Sequence, residues 1–183
     1  LDDWRKVYRR LVHWELELSN TGSSMADILI TQKEEANNGF AKYVKTNYLN
    51  WVAEGASTAN GRPVMSPDLF KHSIFPLLDK GEKVFLVVLD NFRYDQWKML
   101  ESEIGDLFDI DEDMYISILP TATQYARNAI FSGLMPNKIA KMFPELWVDE
   151  DEAEGKNLNE DLLIKTQIER YRRRDTFSYT KVN

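Results

Sequence analysis

The feature that most constrains the fold is an apolar run at residues 83–89, which reads Lys-Val-Phe-Leu-Val-Val-Leu. After the leading lysine, every residue is aliphatic or aromatic, and no polar residue alternates with them. A continuous run of this length is typical of a strand that is buried on both faces of a sheet. The run therefore predicts a central strand covered by helices.

Further strands and helices are predicted to alternate after this run. Residues 114–119 and 176–182 have the composition of two more strands. The segments between the strands have helical character, and the helices are predicted at residues 93–104, 123–131, 137–143 and 158–172. Because strands and helices alternate, this half of the chain is predicted to form a parallel, layered sheet of the α/β class.

The first part of the chain is predicted to be helical. Residues 1–18 carry apolar side chains at three- and four-residue steps, and residues 25–52 form a second segment with helical apolar patterning. Asn37-Asn38-Gly39 weakens the middle of the second segment. The pattern leaves open one helix, a kinked helix or two shorter helices.

A domain boundary is predicted where the composition becomes small and polar, at residues 55–67. Ser66-Pro67 then has the chemistry of a helix start, and a short helix is expected through Leu78. We therefore predict a helical domain at residues 1–78 and an α/β domain at residues 79–183.

Composition and charge exclude several classes of protein. The 183 residues include no cysteine, which removes disulfide scaffolds, thiolate zinc sites and cysteine nucleophiles. No apolar run is long enough to span a membrane and no secretory signal is recognisable, so we expect a cytoplasmic protein. Residues 83–155 carry 15 acidic and 6 basic side chains, which argues against general DNA binding. The two histidines, His13 and His72, are interpreted as structural.

Asp90 directly follows the predicted central strand, in the sequence Leu89-Asp90-Asn91-Phe92-Arg93. In open α/β sheets, ligands bind beyond the carboxyl ends of the strands. A carboxylate at this point is suited to bind a metal ion or to act as a base. Aspartate is also a favoured N-cap of a helix, and the position alone leaves both interpretations open.

A second predicted strand ends at Pro120, and a helix opens within a few residues. Thr121 and Gln124 fit a capping box, which gives Thr121 a structural explanation. Thr123 is predicted in the first turn, where an anion is favoured and where a hydroxyl beside a dication can attack phosphorus. Arg127 lies one turn later and is suited to hold phosphate oxygens, although a surface salt bridge explains it equally well.

These two strand ends resemble the alkaline phosphatase superfamily. Residues 84–94 are similar to the first strand of that family, which ends in a metal-binding aspartate. Residues 119–136 are similar to its nucleophile segment. The motif Asp90-Asn91-Phe92-Arg93-Tyr94, together with the later Pro120-Thr121-Ala122-Thr123, most resembles the PglZ branch and, more closely, response regulators of the PorX type.

The resemblance implies a response regulator in which a receiver domain, a helical middle domain and a PglZ domain follow one another. The chain is then expected to be a fragment that holds the middle domain and the incomplete start of an α/β/α layered domain. The phospho-acceptor of the receiver would lie outside it. The activity implied is zinc-dependent hydrolysis of phosphomonoesters or phosphodiesters, linked to type IX secretion.

The resemblance also implies roles for individual residues. Asp90 would bind zinc, and Thr123 would be the nucleophile and would also face zinc. Arg127, Asn91 and Asn128 would contact the substrate. The family completes a site for two zinc ions with later Asp–His pairs that have no counterpart here, so the chain alone is expected to bind zinc weakly or not at all and to be inactive.

Two other interpretations remain open, together with several partners. The protein could be a non-catalytic signalling scaffold that binds a secretion-machinery protein or a sigma factor. It could also bind nucleic acid through a basic face of the first helix, although the overall charge argues against this. The response-regulator resemblance implies a histidine kinase partner and a phosphate-ester substrate, with or without a nucleotide. The helical part is a candidate surface for homodimer formation.

Overall fold

The computed structural model describes residues 1–18, 25–148 and 157–182. The chain divides into two compact units, each of which is described by itself. The first unit consists of Leu1–Arg62 and Leu89–Met114, and the second consists of Pro63–Val88 and Tyr115–Asn183. These units are defined by packing contacts and do not test the predicted domain limits. The limits of 1–78 and 79–183 therefore stay a prediction.

Helices make up most of the described residues. The seven α-helices found there are α1 (Asp2–Leu18), α2 (Met25–Val52), α3 (Phe75–Asp79), α4 (Tyr94–Ile104), α5 (Thr123–Ser132), α6 (Pro136–Met142) and α7 (Glu160–Arg170). The short helix expected after Ser66 is a succession of a 3-10 helix at Ser66–Asp68, a π-helix at Phe70–Ile74 and then α3. Within the described residues, no helix has the length and apolar character needed to cross a membrane.

In the first unit, α1 packs against α2 through aromatic side chains. The Trp4 ring stacks on Phe40 with 4.1 Å between ring centroids, and its Nε1 donates a hydrogen bond of 2.9 Å to the carbonyl oxygen of Ala36. The bounds of α1 and α2 confirm the two helices predicted at residues 1–18 and 25–52. α2 is one helix that continues through Gly39, so the alternative of two shorter helices does not apply.

The carboxylate of Glu112, also in the first unit, is surrounded by several cations and hydrogen-bond donors. Its oxygens lie 2.8 Å from Arg9 Nε and 3.5 Å from Lys98 Nζ, and they accept hydrogen bonds of 2.9 Å from Tyr94 and 3.0 Å from Trp97. Burial opposes the charge, but these hydrogen bonds and the neighbouring cations together lower the pKa of Glu112. The cluster connects α1, α4 and the segment before Met114.

The α/β class predicted from the sequence is not confirmed by the structure. No strand occurs among the described residues, and the segments predicted as strands at 83–89, 114–119 and 176–182 form none. The one pairing seen there is an isolated parallel bridge between Met65 and Ile116. Phe85 and Val87 are 92% and 75% exposed, so the apolar run lacks the neighbours that a buried strand requires. Apolar, β-branched composition favours a strand but cannot supply its hydrogen-bonding partners.

The core of the second unit lies between α5, α7 and the π-helix with α3. Its buried apolar residues are Phe70, Phe75, Ile130, Phe131, Ile139, Leu163, Ile164 and Ile168. The segment around Ile116 is attached to the same unit, because the Ile116 N–H donates to the Val64 carbonyl at 2.9 Å and the Ile118 N–H donates to Ser66 Oγ at 3.2 Å. This packing holds the C-terminal half of α5 in the interior and leaves its first residue exposed.

Candidate functional site

The helix start predicted near Thr123 is present. α5 begins at Thr123, and the carbonyl oxygen of Ala122 accepts the N–H groups of Tyr125 and Ala126 at 2.9 and 3.0 Å. Thr123 lies in the first turn, as the sequence predicts, and it is exposed. The capping box expected at Thr121 and Gln124 is wrong, since Ala122 is the N-cap and no side-chain hydrogen bond caps the helix.

Arg127 lies one turn after Thr123 on α5, and it forms an ion pair. Its Nη2 donates to Glu160 Oε2 at 2.7 Å, and the Arg127 side chain is only 17% exposed. Glu160 is fully buried in the first turn of α7. The salt bridge left open by the sequence is therefore present, but its carboxylate is in the interior and not at the surface.

Two further groups donate hydrogen bonds to the Glu160 carboxylate. The hydroxyl of Tyr179 donates to Oε2, and Asn157 Nδ2 lies 3.2 Å from Oε1. The same Asn157 nitrogen is 3.4 Å from the carbonyl oxygen of Thr123. Burial, followed by the neighbouring carboxylate, raises the pKa of Tyr179 to about 12. The hydroxyl therefore remains a hydrogen-bond donor at neutral pH.

The sequence pattern does not single out Glu160. An acidic residue in the first turn of a helix is common, because it interacts favourably with the helix dipole. Its partners Arg127, Asn157 and Tyr179 are spread over more than fifty residues of sequence. Only the fold shows that these side chains share one carboxylate.

Asn128, predicted to contact substrate, is buried in the second unit with 3% exposure. Ser132, on the same helix, is also buried, and its Oγ accepts the Leu134 N–H at 3.1 Å. These residues lie on the interior side of α5, whereas Thr123 at its start is exposed. A role for Asn128 in binding substrate stays a prediction.

Asp90 and Asn91 belong to the first unit and are both exposed. Asn91 has a φ of 55°, a left-handed conformation that asparagine adopts more readily than most residues. α4 begins later than these two residues, because Arg93 is its N-cap and the Arg93 N–H donates to Gln96 Oε1 at 2.9 Å. Asp90 is therefore not the cap of α4, which removes the structural explanation considered for it.

The residues that the structure describes do not provide a complete metal site. No group of three or more His, Asp or Glu side chains that could hold a metal ion occurs in residues 1–18, 25–148 and 157–182. A catalytic zinc ion normally has at least three protein ligands. Asp90 and Thr123 alone therefore do not fit the two-zinc site that the resemblance implies. The acidic residues at 149–154 lie outside the described residues.

Comparison with protein families finds two matches. Residues 69–183 match the model of an alkaline phosphatase-like domain, and residues 1–52 match the PorX response regulator linker domain. The first match is to the BREX system PglZ alkaline phosphatase-like domain and covers more than half of the chain, so the chain belongs to the PglZ family. The resemblance seen in the sequence is confirmed. No curated protein matches the chain.

Proposed function

We propose that the chain forms the linker and the opening part of the effector domain of a PorX-type response regulator, and that this effector hydrolyses phosphoric esters. The observation that carries the proposal is the match to a response regulator linker directly before the match to an alkaline phosphatase-like domain. Thr123, exposed at the start of α5, is the residue that gives the proposed activity a nucleophile.

The position of Thr123 suits attack on phosphorus. The first N–H groups of a helix have no partner within the helix, and the positive end of the helix dipole favours an anionic group. In the proposed reaction, the Thr123 oxygen bonds to phosphorus as the ester oxygen leaves and takes up a proton. Water then attacks the phosphorus bound to Thr123, which restores the hydroxyl and releases phosphate from a monoester substrate or a phosphomonoester from a diester substrate.

Zinc is proposed as the cofactor of the complete protein, with Asp90 and Thr123 among its ligands. A dication would stabilise the charge that develops on the phosphoryl oxygens. Because the described residues supply too few ligands, the proposal requires further ligands from the complete protein. Asn91, Arg127 and Asn128 are proposed contacts of the substrate, which is a phosphomonoester or phosphodiester.

The partners proposed follow from the response-regulator linker. A cytoplasmic histidine kinase pathway would supply the signal, and a secretion-machinery protein or sigma factor of type IX secretion would receive it. The match at residues 1–52 supports a signalling role in general. The identity of each partner is part of the proposal.

The test uses the complete protein that carries this chain. Zinc content and hydrolysis of bis(4-nitrophenyl) phosphate are measured for the wild type, for Asp90→Asn and for Asp111→Asn, an exposed carboxylate elsewhere in the first unit. We expect zinc-dependent turnover by the wild type, loss of zinc and turnover in Asp90→Asn, and no change in Asp111→Asn. Wild-type turnover by Asp90→Asn would contradict the assignment of Asp90.

A non-catalytic signalling scaffold is the second candidate. The observation in its favour is that Arg127, the residue proposed to hold phosphate oxygens, is bound to the buried Glu160. On this proposal, the protein binds a secretion-machinery protein or a sigma factor without turnover. Absence of hydrolysis by a zinc-loaded, partner-binding complete protein would favour the scaffold.

A further inference from the structure

Two contacts lead from the buried Glu160 to the segment that carries the proposed nucleophile. The first is the ion pair of 2.7 Å with Arg127, one helical turn after Thr123. The second runs through Asn157, whose Nδ2 lies 3.2 Å from Glu160 Oε1 and 3.4 Å from the Thr123 carbonyl oxygen. A carboxylate in the interior is thereby connected to Thr123 at the start of α5 and to Arg127 one turn later.

We infer that Glu160 is a positioning residue, which orients Arg127 and the first turn of α5 for binding of a phosphoryl group at Thr123. The inference rests on the proposed function. A bond between a guanidinium and a carboxylate is directional and restricts an arginine side chain that otherwise has many rotamers. Without the negative charge, the phosphoryl group would itself have to order Arg127 on binding, which lowers affinity.

Tyr179 holds the carboxylate from another side. Its hydroxyl donates to Glu160 Oε2, and its ring packs edge to face against Phe131 of α5, with 6.3 Å between centroids. Because the pKa of Tyr179 is raised to about 12, this donor is retained throughout the neutral range. Replacing Tyr179 by phenylalanine would keep the ring contact and remove only the donor.

The experiment compares phosphate binding with catalysis in the complete protein. The Kd for inorganic phosphate, and kcat and KM for bis(4-nitrophenyl) phosphate, are measured for the wild type, Glu160→Gln and Tyr179→Phe. Glu169→Gln, an exposed carboxylate on the same helix, is the matched control. Circular dichroism and thermal melting establish whether each variant is folded.

We expect Glu160→Gln to raise the Kd for phosphate and the KM about tenfold, the effect of losing one charge-assisted hydrogen bond, with a smaller change in kcat. Tyr179→Phe should raise both roughly threefold, and Glu169→Gln should leave them unchanged. A purely structural role would change the melting temperature but not the Kd for phosphate. If Glu160→Gln does not fold, the comparison of Kd, kcat and KM between the wild type and Tyr179→Phe tests the inference in its place.

The outcomes separate this inference from the proposed function. Wild-type affinity for phosphate in a folded Glu160→Gln variant would overturn the inference, even if the wild type hydrolyses the ester. Absence of phosphate binding by the wild type would also overturn it. Phosphate binding that depends on Glu160, without any hydrolysis, would support the inference and contradict the proposed activity.

Discussion

Arg9 of α1 forms an ion pair with Glu112, with 2.8 Å between Arg9 Nε and Glu112 Oε1. Arg9 lies in the segment that matches the response regulator linker, and Glu112 lies in the segment that matches the PglZ domain. Both residues belong to the first compact unit. The two family segments are thus joined within one unit of packing, and Glu112 is one of several residues that connect them.

The first prediction concerns the pH dependence of stability that Glu112 confers. Because its pKa is lower in the folded state than in the unfolded chain, its contribution is fully present above the unfolded pKa and is lost as pH falls through the folded value. We expect Glu112→Gln to lower the free energy of unfolding by about 1 to 3 kcal/mol at neutral pH. The difference from wild type should shrink between about pH 5 and pH 3.

Urea unfolding at a series of pH values measures this difference. Asp111→Asn, a neighbouring exposed carboxylate, is the control and should stay close to wild type at every pH. A Glu112→Gln difference that is constant with pH would show that the charge of Glu112 does not stabilise the fold.

The second prediction concerns Arg127 and stability. Arg127→Ala removes the cation beside a fully buried carboxylate, and an uncompensated buried charge is strongly destabilising. We expect the free energy of unfolding to fall by about 3 kcal/mol. Lys165→Ala, an exposed cation on α7, should change it by less than about 0.5 kcal/mol. A loss below about 1 kcal/mol in Arg127→Ala would contradict the buried ion pair.

The third prediction uses the same substitution at two glycines. Gly133 ends α5 with a φ of 65°, and an added Cβ would overlap Gln167 Nε2 and lie 2.9 Å from Gln167 Cδ, a side chain that is fully buried. Gly133→Ala should therefore lower the free energy of unfolding by about 2 kcal/mol. Gly39 lies within α2 with open space around it, so Gly39→Ala should raise it by about 1 kcal/mol.

Chemical denaturation of the two alanine variants tests this pair directly. Because the substitution is the same, a difference in sign reflects the different backbone conformations and surroundings of the two glycines. Equal effects of Gly39→Ala and Gly133→Ala would contradict the assigned helix interior and the assigned helix end.

The fourth prediction concerns zinc. Because the later Asp–His pairs that the resemblance implies have no counterpart in the sequence, we predict that the chain by itself retains far less than one zinc ion after loading and dialysis. The complete protein should retain about two, as a two-metal hydrolase requires. Metal analysis of both proteins measures this. A full equivalent of zinc on the chain alone would contradict the need for further ligands.

The helices were predictable because their signals are local. The periodic apolar residues of α1 and the helix start near Thr123 depend on residues within one or two turns. The strands predicted at 83–89 and 114–119 were not confirmed, because a strand also needs a partner that lies elsewhere in the chain. The capping box predicted at Thr121 and Gln124 is wrong for a smaller reason, since the N-cap of α5 is Ala122.

The site was predictable only in part. Thr123 and Arg127 share one helix, so their spacing on one face could be inferred from the sequence. Glu160 could not, because it is 33 residues from Arg127 and resembles an ordinary first-turn acid. The pairing of Arg127 with Glu160 follows from the packing of α5 against α7.

The central claim is that Thr123 is the nucleophile of a phosphoric-ester hydrolase. Its most direct test is kcat for bis(4-nitrophenyl) phosphate in the zinc-loaded complete protein, with Thr123→Ala compared with Thr121→Ala. We predict that Thr123→Ala lowers kcat roughly a thousandfold or more, while Thr121→Ala, which precedes the helix cap, leaves it near wild type. Wild-type kcat in Thr123→Ala would contradict the account.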